Sequence, residues 1–275
     1  MTAIGRQRPV GELLRQWRQR RRLSQLELAN QAEISTRHLS FVETGRSAPS
    51  RDMVLRLAER LEVPLRERNL LLLAAGFAPV YAQTAWDAPQ LEVVRAAVRQ
   101  VLTAHDPSPA LAVDRAWTLV AANASVALLN DGVAPELLAP PANALRISLH
   151  PDGMAGRILN LGEWRAHLLG GLRRRVALTG DPQLTQLHDE LCGYPCDQPE
   201  PKLELPGPGA VAVPLRLRHH GRELAFLHTV ATFGMPLDVT VAELAINSFL
   251  PADPETAAVL HQASPPAATP TATTA

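Results

Sequence analysis

The sequence predicts an all-α N-terminal domain of five short helices, followed by an α/β domain built on an antiparallel sheet. Three observations carry this prediction. Through the first 76 residues apolar side chains recur at helical spacing, with capping residues at the joints. Beyond residue 110, apolar runs of strand length are joined by tight turns. The charge also changes sign along the chain. Residues 1–79 hold 14 Arg and 8 acidic residues, a balance of +6, whereas residues 80–275 hold 13 basic and 19 acidic residues, a balance of −6. The overall 27 against 27 hides this partition.

Val10, Leu13, Leu14 and Trp17 define the apolar stripe of a first helix over 10–22, with arginines on its other face. Ser24 and Glu27 form a capping box that starts a second helix over 24–32. Ser35 caps a third, with Leu39 and Val42 inward and Gly45 at its end. Pro49-Ser50 starts a fourth, whose buried stripe is Met53, Val54, Leu57, Ala58 and Leu61. Pro64 opens a fifth, closed by Gly76. An Ala- and Pro-rich connection covers 77–90, and Leu91, Val94, Val98 and Val101 predict the helix that enters the second domain.

There, residues 110–114 and 117–123 read as a hairpin around Arg115-Ala116, and residues 124–130 continue as a helix. Helices are predicted over 163–179 and 183–191, and strands over 202–205, 210–218, 222–233 and 243–250. His219-His220-Gly221 is a natural hairpin turn between two of those strands. Residues 262–275 are low in complexity and read as a disordered tail. Strand pair, helices, then long antiparallel strands is the order of a sensor-type domain that lays helices over one face of a sheet.

Composition excludes several classes. Two cysteines make no disulfide framework. The charged N-terminus lacks the apolar core of a signal peptide, and the longest uncharged run, Asn69 to Trp86, is broken by Gly76 and Pro79. A cytoplasmic protein with no membrane partner is expected. No Gly-rich phosphate loop, nucleophile elbow or zinc-protease motif occurs, so no catalytic residue and no cofactor are assigned and no enzyme is expected. His188, Cys192 and Cys196 share a four-residue spacing, but Pro195 interrupts that helix and no second cysteine pair completes a metal site. His219 and His220 would join a metal site only through the tertiary fold. Asp181, Asp189, Glu190 and Glu200 are spread along polar segments and read as a solvated face.

The segment from Leu23 to Val63 resembles the helix-turn-helix of the phage-repressor-like, xenobiotic-response-element (XRE) family of regulators. The resemblance spans residues 9–76 and rests on Gln25, on Ala29, and on Glu43-x-Gly45-Arg46 followed by Pro49-Ser50. It implies a double-stranded DNA operator as partner, with the third helix in the major groove. By position, Thr36, Arg37, Ser40 and Phe41 would face bases, and Gln25 and Arg46 would contact phosphates. Arg37 suits guanine, and Thr36 offers a methyl and a hydroxyl. A homodimer is implied, because one module covers only a half-site.

The stretches ALAVDRAWTLVAANASVALL and ELAINSFLPADPETAAVL resemble the C-terminal ligand-binding domain of MmyB-like regulators, across residues 91–261. That resemblance implies a PAS-like fold and a small apolar ligand of fatty-acid character. With few aromatics available, Trp117, Trp164, Phe226 and Phe233 are the candidate ligand contacts. Three other assignments stay open in the sequence: an enzyme or a pure oligomerisation module for this domain, and a metal or redox sensor for the protein.

Overall fold

The computed structural model describes residues 8–199 and 213–263. Five helices come first: α1 (Val10–Arg20), α2 (Gln25–Gln31), α3 (Thr36–Glu43), α4 (Arg51–Arg60) and α5 (Leu65–Ala74). Then follow α6 (Glu92–Ala104), β1 (Ala110–Val113), β2 (Leu119–Ala122), α7 (Ala127–Asn130), α8 (Pro135–Leu138) and α9 (Ala144–Leu149). The remainder is α10 (Leu161–Thr179), α11 (Pro182–Cys192), β3 (Leu215–His219), β4 (Arg222–Thr232), α12 (Val239–Ala242), β5 (Ala245–Pro251) and α13 (Pro254–Ala263). Glu200, the predicted strand at 202–205, the start of that at 210–218, and the tail beyond 263 lie outside the described residues.

The chain divides into two units. One joins Met1–Ala85 with Met235–Ala242, and the other joins Trp86–Gly234 with Glu243–Ala275. The return of residues 235–242 to the first unit has no counterpart in the sequence reading, which drew a single boundary at 77–90.

In the first unit the helix starts are local and fall where the capping residues put them. Ser24 and Glu27 form the full reciprocal box, and Ser35 and Ser50 each accept a backbone N–H three residues on, from His38 and Met53. The helix ends are less legible. Arg22, Glu33 and Glu62 take left-handed φ angles of 56°, 56° and 48° just past α1, α2 and α4. At the first of these, Arg22 donates to Gln19 and Leu23 to Arg18, a Schellman closure made without glycine. The first helix therefore stops at Arg20, not at 22. Leu14, Leu28, Leu39, Leu57, Leu61 and Leu72 fill the core. A Cβ on Gly11 would lie 2.1 Å from the Val42 carbonyl oxygen, so only glycine lets α1 approach α3 this closely.

The second unit carries a five-stranded, fully antiparallel sheet in the order β2-β1-β5-β4-β3. It is the PAS-like α/β arrangement that the resemblance implied. His220 and Gly221, with φ of 46° and 78°, make the two-residue turn between β3 and β4. The other hairpin is more constrained. Asp114 Oδ1 accepts from Ala116 and Thr118, both at 2.8 Å, and Trp117 is left-handed at φ 65°, so β2 starts only at Leu119.

Alternation along the strands divides the core into two. Leu111, Val113 and Phe249 point to the face under α7, α9, α10 and α11. Ala110, Ala112 and Ile246 point to the other face, which α6 covers with Val98 and Leu102. Helices therefore lie on both faces around β1 and β5, whereas the sequence reading placed them on one. Central strand β1 is buried on both sides, and no period-2 signal separates its faces.

Candidate DNA-binding surface and ligand cavity

Helix α3 is two-faced. Leu39, Val42 and Glu43 are buried, Arg37 is exposed, and Thr36, Ser40 and Phe41 are partly so. The two arginines singled out in the sequence converge on one ring: Arg37 Cζ lies 5.4 Å and Arg46 Cζ 6.0 Å from the Phe41 centroid. Phe41 also accepts the Arg46 and Ser47 backbone N–H groups through its carbonyl, at 2.8 and 3.1 Å. An aromatic residue at this partly exposed position thus lies within reach of both cations.

Behind α3 lies an ion pair that spans 25 residues of sequence. Arg18 Nε and Nη2 donate to the two Glu43 carboxylate oxygens at 2.7 and 2.9 Å, and Arg18 Nη1 donates to the Leu23 carbonyl at 2.8 Å. Gln25 Nε2 completes the set, donating to Glu43 Oε2 at 2.7 Å. The Glu43 side chain is only 1% exposed. The Glu43 hydrogen bond and charge raise the Arg18 pKa, against the opposing effect of burial. Gln25, selected in the sequence for a phosphate contact, therefore already has one amide hydrogen committed inside the unit. The charged face of α1 is likewise partly structural, since Arg21 donates to the Leu61 and Glu62 carbonyls at 2.8 and 2.9 Å.

In the second unit a cavity of about 60 Å³ lies between the sheet and the helices. Its lining carries no formal charge. Leu111, Leu119, Leu145, Leu168 and Phe249 are among its apolar walls, and Trp117 and Trp164 both line it. Phe226 is buried in the same core cluster without lining the cavity, and Phe233 packs on the opposite face with Val98 and Leu102. Three of the cavity's polar groups, Ser148, His228 and Asn247, were not singled out in the sequence. Trp164 Nε1 donates to Ser148 Oγ at 2.9 Å, and His228 Nε2 pairs with Asn247 Oδ1 at 2.9 Å. Burial pushes the His228 imidazole below its ordinary value, the neighbouring His167 adds to this, and the Asn247 bond works against it. A largely neutral His228, stacked on Phe249 and edge-on to Trp164, keeps the cavity free of charge near neutral pH.

Residues 9–71 match a helix-turn-helix domain, and residues 94–263 match the MmyB-like transcription regulator ligand binding domain. The second match covers more than half of the chain. The chain belongs to the MmyB-like transcription regulators. No curated protein matches it. The regulator therefore pairs a DNA-binding helix-turn-helix with a ligand-binding domain, and is a ligand-responsive DNA-binding protein. No helix among its described residues is long and apolar enough to cross a membrane.

The regulator's remaining polar residues sort by geometry. Asp181 and Glu190, read from sequence as a solvated face, are partnered. Asp181 pairs with Arg115, and Glu190 takes both Arg146 Nε and Nη2 at 2.7 Å. Tyr194 donates to Glu190 at 2.8 Å, and burial with that bond pushes its hydroxyl up to about 12. His188 lies 3.8 Å from Cys192 Sγ, while Cys196 turns to the Gln198 carbonyl. The fold does bring Asp131 to His219 and His220, at 3.4 and 3.8 Å. The charge of Arg157 acts on both Asp131 and His219, and burial pushes the His219 imidazole below its ordinary value.

Proposed function

We propose that this regulator binds a double-stranded operator as a homodimer through the exposed face of α3, and that a small apolar effector in the sheet–helix cavity changes that affinity. The observation that carries the effector's character is the uncharged, mainly aliphatic and aromatic lining of the cavity. A charged group buried there would lose its hydration with no opposite charge to compensate. The cavity's volume, about 60 Å³, is below the roughly 150 Å³ that admits benzene into an engineered protein core. An aliphatic chain therefore enters only as the lining side chains of α9 and α10 part from the sheet. That rearrangement is the differential interaction that linkage to DNA binding requires.

On the DNA side, Arg37 and Thr36 read base edges with Ser40 and Phe41 beside them. Arg46 and the start of α2 at Gln25 hold the phosphate backbone. The +6 of the N-terminal 79 residues supplies the electrostatic attraction, and the −6 of the rest is repelled by phosphate. Arg37→Ala is expected to weaken operator binding by about 1–3 kcal/mol and to relax specificity at one base pair per half-site. Fluorescence anisotropy against single-position operator variants measures both, and unchanged specificity would place another residue at that base.

The effector is tested by native mass spectrometry of the protein purified from its natural host. A co-purifying apolar molecule that is released on unfolding is the expected result. A bare protein mass, with no uptake of fatty acids or alcohols by the purified chain, excludes an apolar effector.

A further inference from the structure

The chain passes between the two units three times, and two of those passages flank residues 235–242. This segment is the connection between β4 and β5, yet it belongs to the DNA-binding unit. Its hold there is specific. Asp238 Oδ2 accepts the backbone N–H of Thr84 at 3.1 Å and its hydroxyl at 2.7 Å. Thr240 Oγ1 returns a bond to the Thr84 carbonyl at 2.7 Å, and Val239 N–H donates to the Ala82 carbonyl at 2.8 Å. Asp238 Oδ1 meanwhile takes the Thr240 N–H at 2.8 Å and so organises the turn of α12. Val239 and Val241 are buried beside α5, whereas Met235 and Leu237 stay in solvent. The clasp thus depends on the Asp238 network and two valines.

The strands on either side of this segment reach the cavity. His228 on β4 and Asn247 and Phe249 on β5 line it, and the two strands pair continuously from Phe226–Pro251 to Thr232–Ala245. A paired hairpin moves as one piece, because a relative slip would break its ladder. We propose that the Asp238 clasp is the coupling element of this regulator: occupancy of the cavity shifts the β4–β5 hairpin, and the hairpin's own connection, stapled to Thr84 beneath α5, carries that shift into the DNA-binding unit. This rests on the effector reading above and adds its route. By linkage the same clasp reports DNA binding back to the cavity.

The test uses the full chain with Asp238→Ala, and with Thr84→Val, which spares the α12 cap should the first variant fold poorly. Hydrogen exchange read by mass spectrometry needs no effector. Exchange is expected to accelerate at least threefold in β4 and β5 around His228 and Asn247 in either variant, with α10 and α11 unchanged. Acceleration confined to residues 80–84 and 235–242 overturns the inference. The second arm uses dodecanoic acid as probe and an operator selected on the wild type. Saturating probe is expected to shift wild-type operator affinity at least fivefold. In Asp238→Ala each partner alone should bind within threefold of wild type while the shift falls below twofold. A retained fivefold shift overturns the coupling role. A wild type that neither binds dodecanoic acid nor responds to it counts against the apolar effector instead, and the exchange arm still decides the clasp.

Discussion

Glu43→Ala is expected to destabilise the DNA-binding unit by about 3–5 kcal/mol, the range for removing one partner of a buried ion pair. The carboxylate is almost wholly buried and accepts three side-chain donors, two from Arg18 and one from Gln25. Alanine leaves the Arg18 guanidinium with the Leu23 carbonyl alone and frees the last turn of α3 from α1. Amide exchange in α3 should accelerate by roughly two to four decades, at about 1.4 kcal/mol per decade. Operator binding should weaken with it, because Arg37 and Arg46 depend on the placement of α3. The double variant Arg18→Met/Glu43→Leu removes both charges and should cost clearly less than Glu43→Ala. A single variant that loses under 1 kcal/mol would mean the pair is decorative.

Trp164→Ala is expected to cost about 3–5 kcal/mol in the ligand-binding unit, as for other fully buried tryptophans. The indole is 2% exposed, donates to Ser148, and packs against His167, His228 and Phe249. Its loss merges a large void with the existing cavity and strands the Ser148 hydroxyl. Trp164→Phe keeps most of the ring and should cost less. Urea denaturation of the full chain, followed at the unit that contains α10, measures the difference. A cost below 1 kcal/mol for the alanine variant would show that the surrounding helices collapse onto the space, leaving no defined cavity wall there.

Both predictions concern residues that the sequence presented only in part. Glu43 stood out as part of a motif, but nothing in the chain names its partner 25 residues earlier, and the arginines of α1 looked alike. The structure separates them by burial: Arg18 and Arg21 turn to carbonyls and carboxylates inside the unit. Trp164 was legible because it sits on the apolar stripe of a long helix. Ser148, His228 and Asn247 were not, since three distant segments must fold before they share a cavity. The converse holds for Phe226 and Phe233, whose aromatic character suggested ligand contacts: Phe226 shares the face of β4 that carries His228 but packs into the core without lining the cavity, and Phe233, just past β4, packs on the opposite face.

By itself the sequence determined what is set within a few residues or by averages over many. The starts of α2, α3 and α4 follow from serine caps, the exposed face of α3 from its periodicity, and the division into a basic and an acidic part from counting charges. Tertiary structure alone decided the rest. Helix ends at Arg22, Glu33 and Glu62 need left-handed backbone that these residue types do not advertise. The second face of the sheet needs α6 to be in place, and the cavity needs the sheet closed against α9 and α10. The return of residues 235–242 to the first unit joins Thr84 to Asp238 across 154 residues. No local pattern encodes such a contact, because its stabilisation appears only when both ends are already folded.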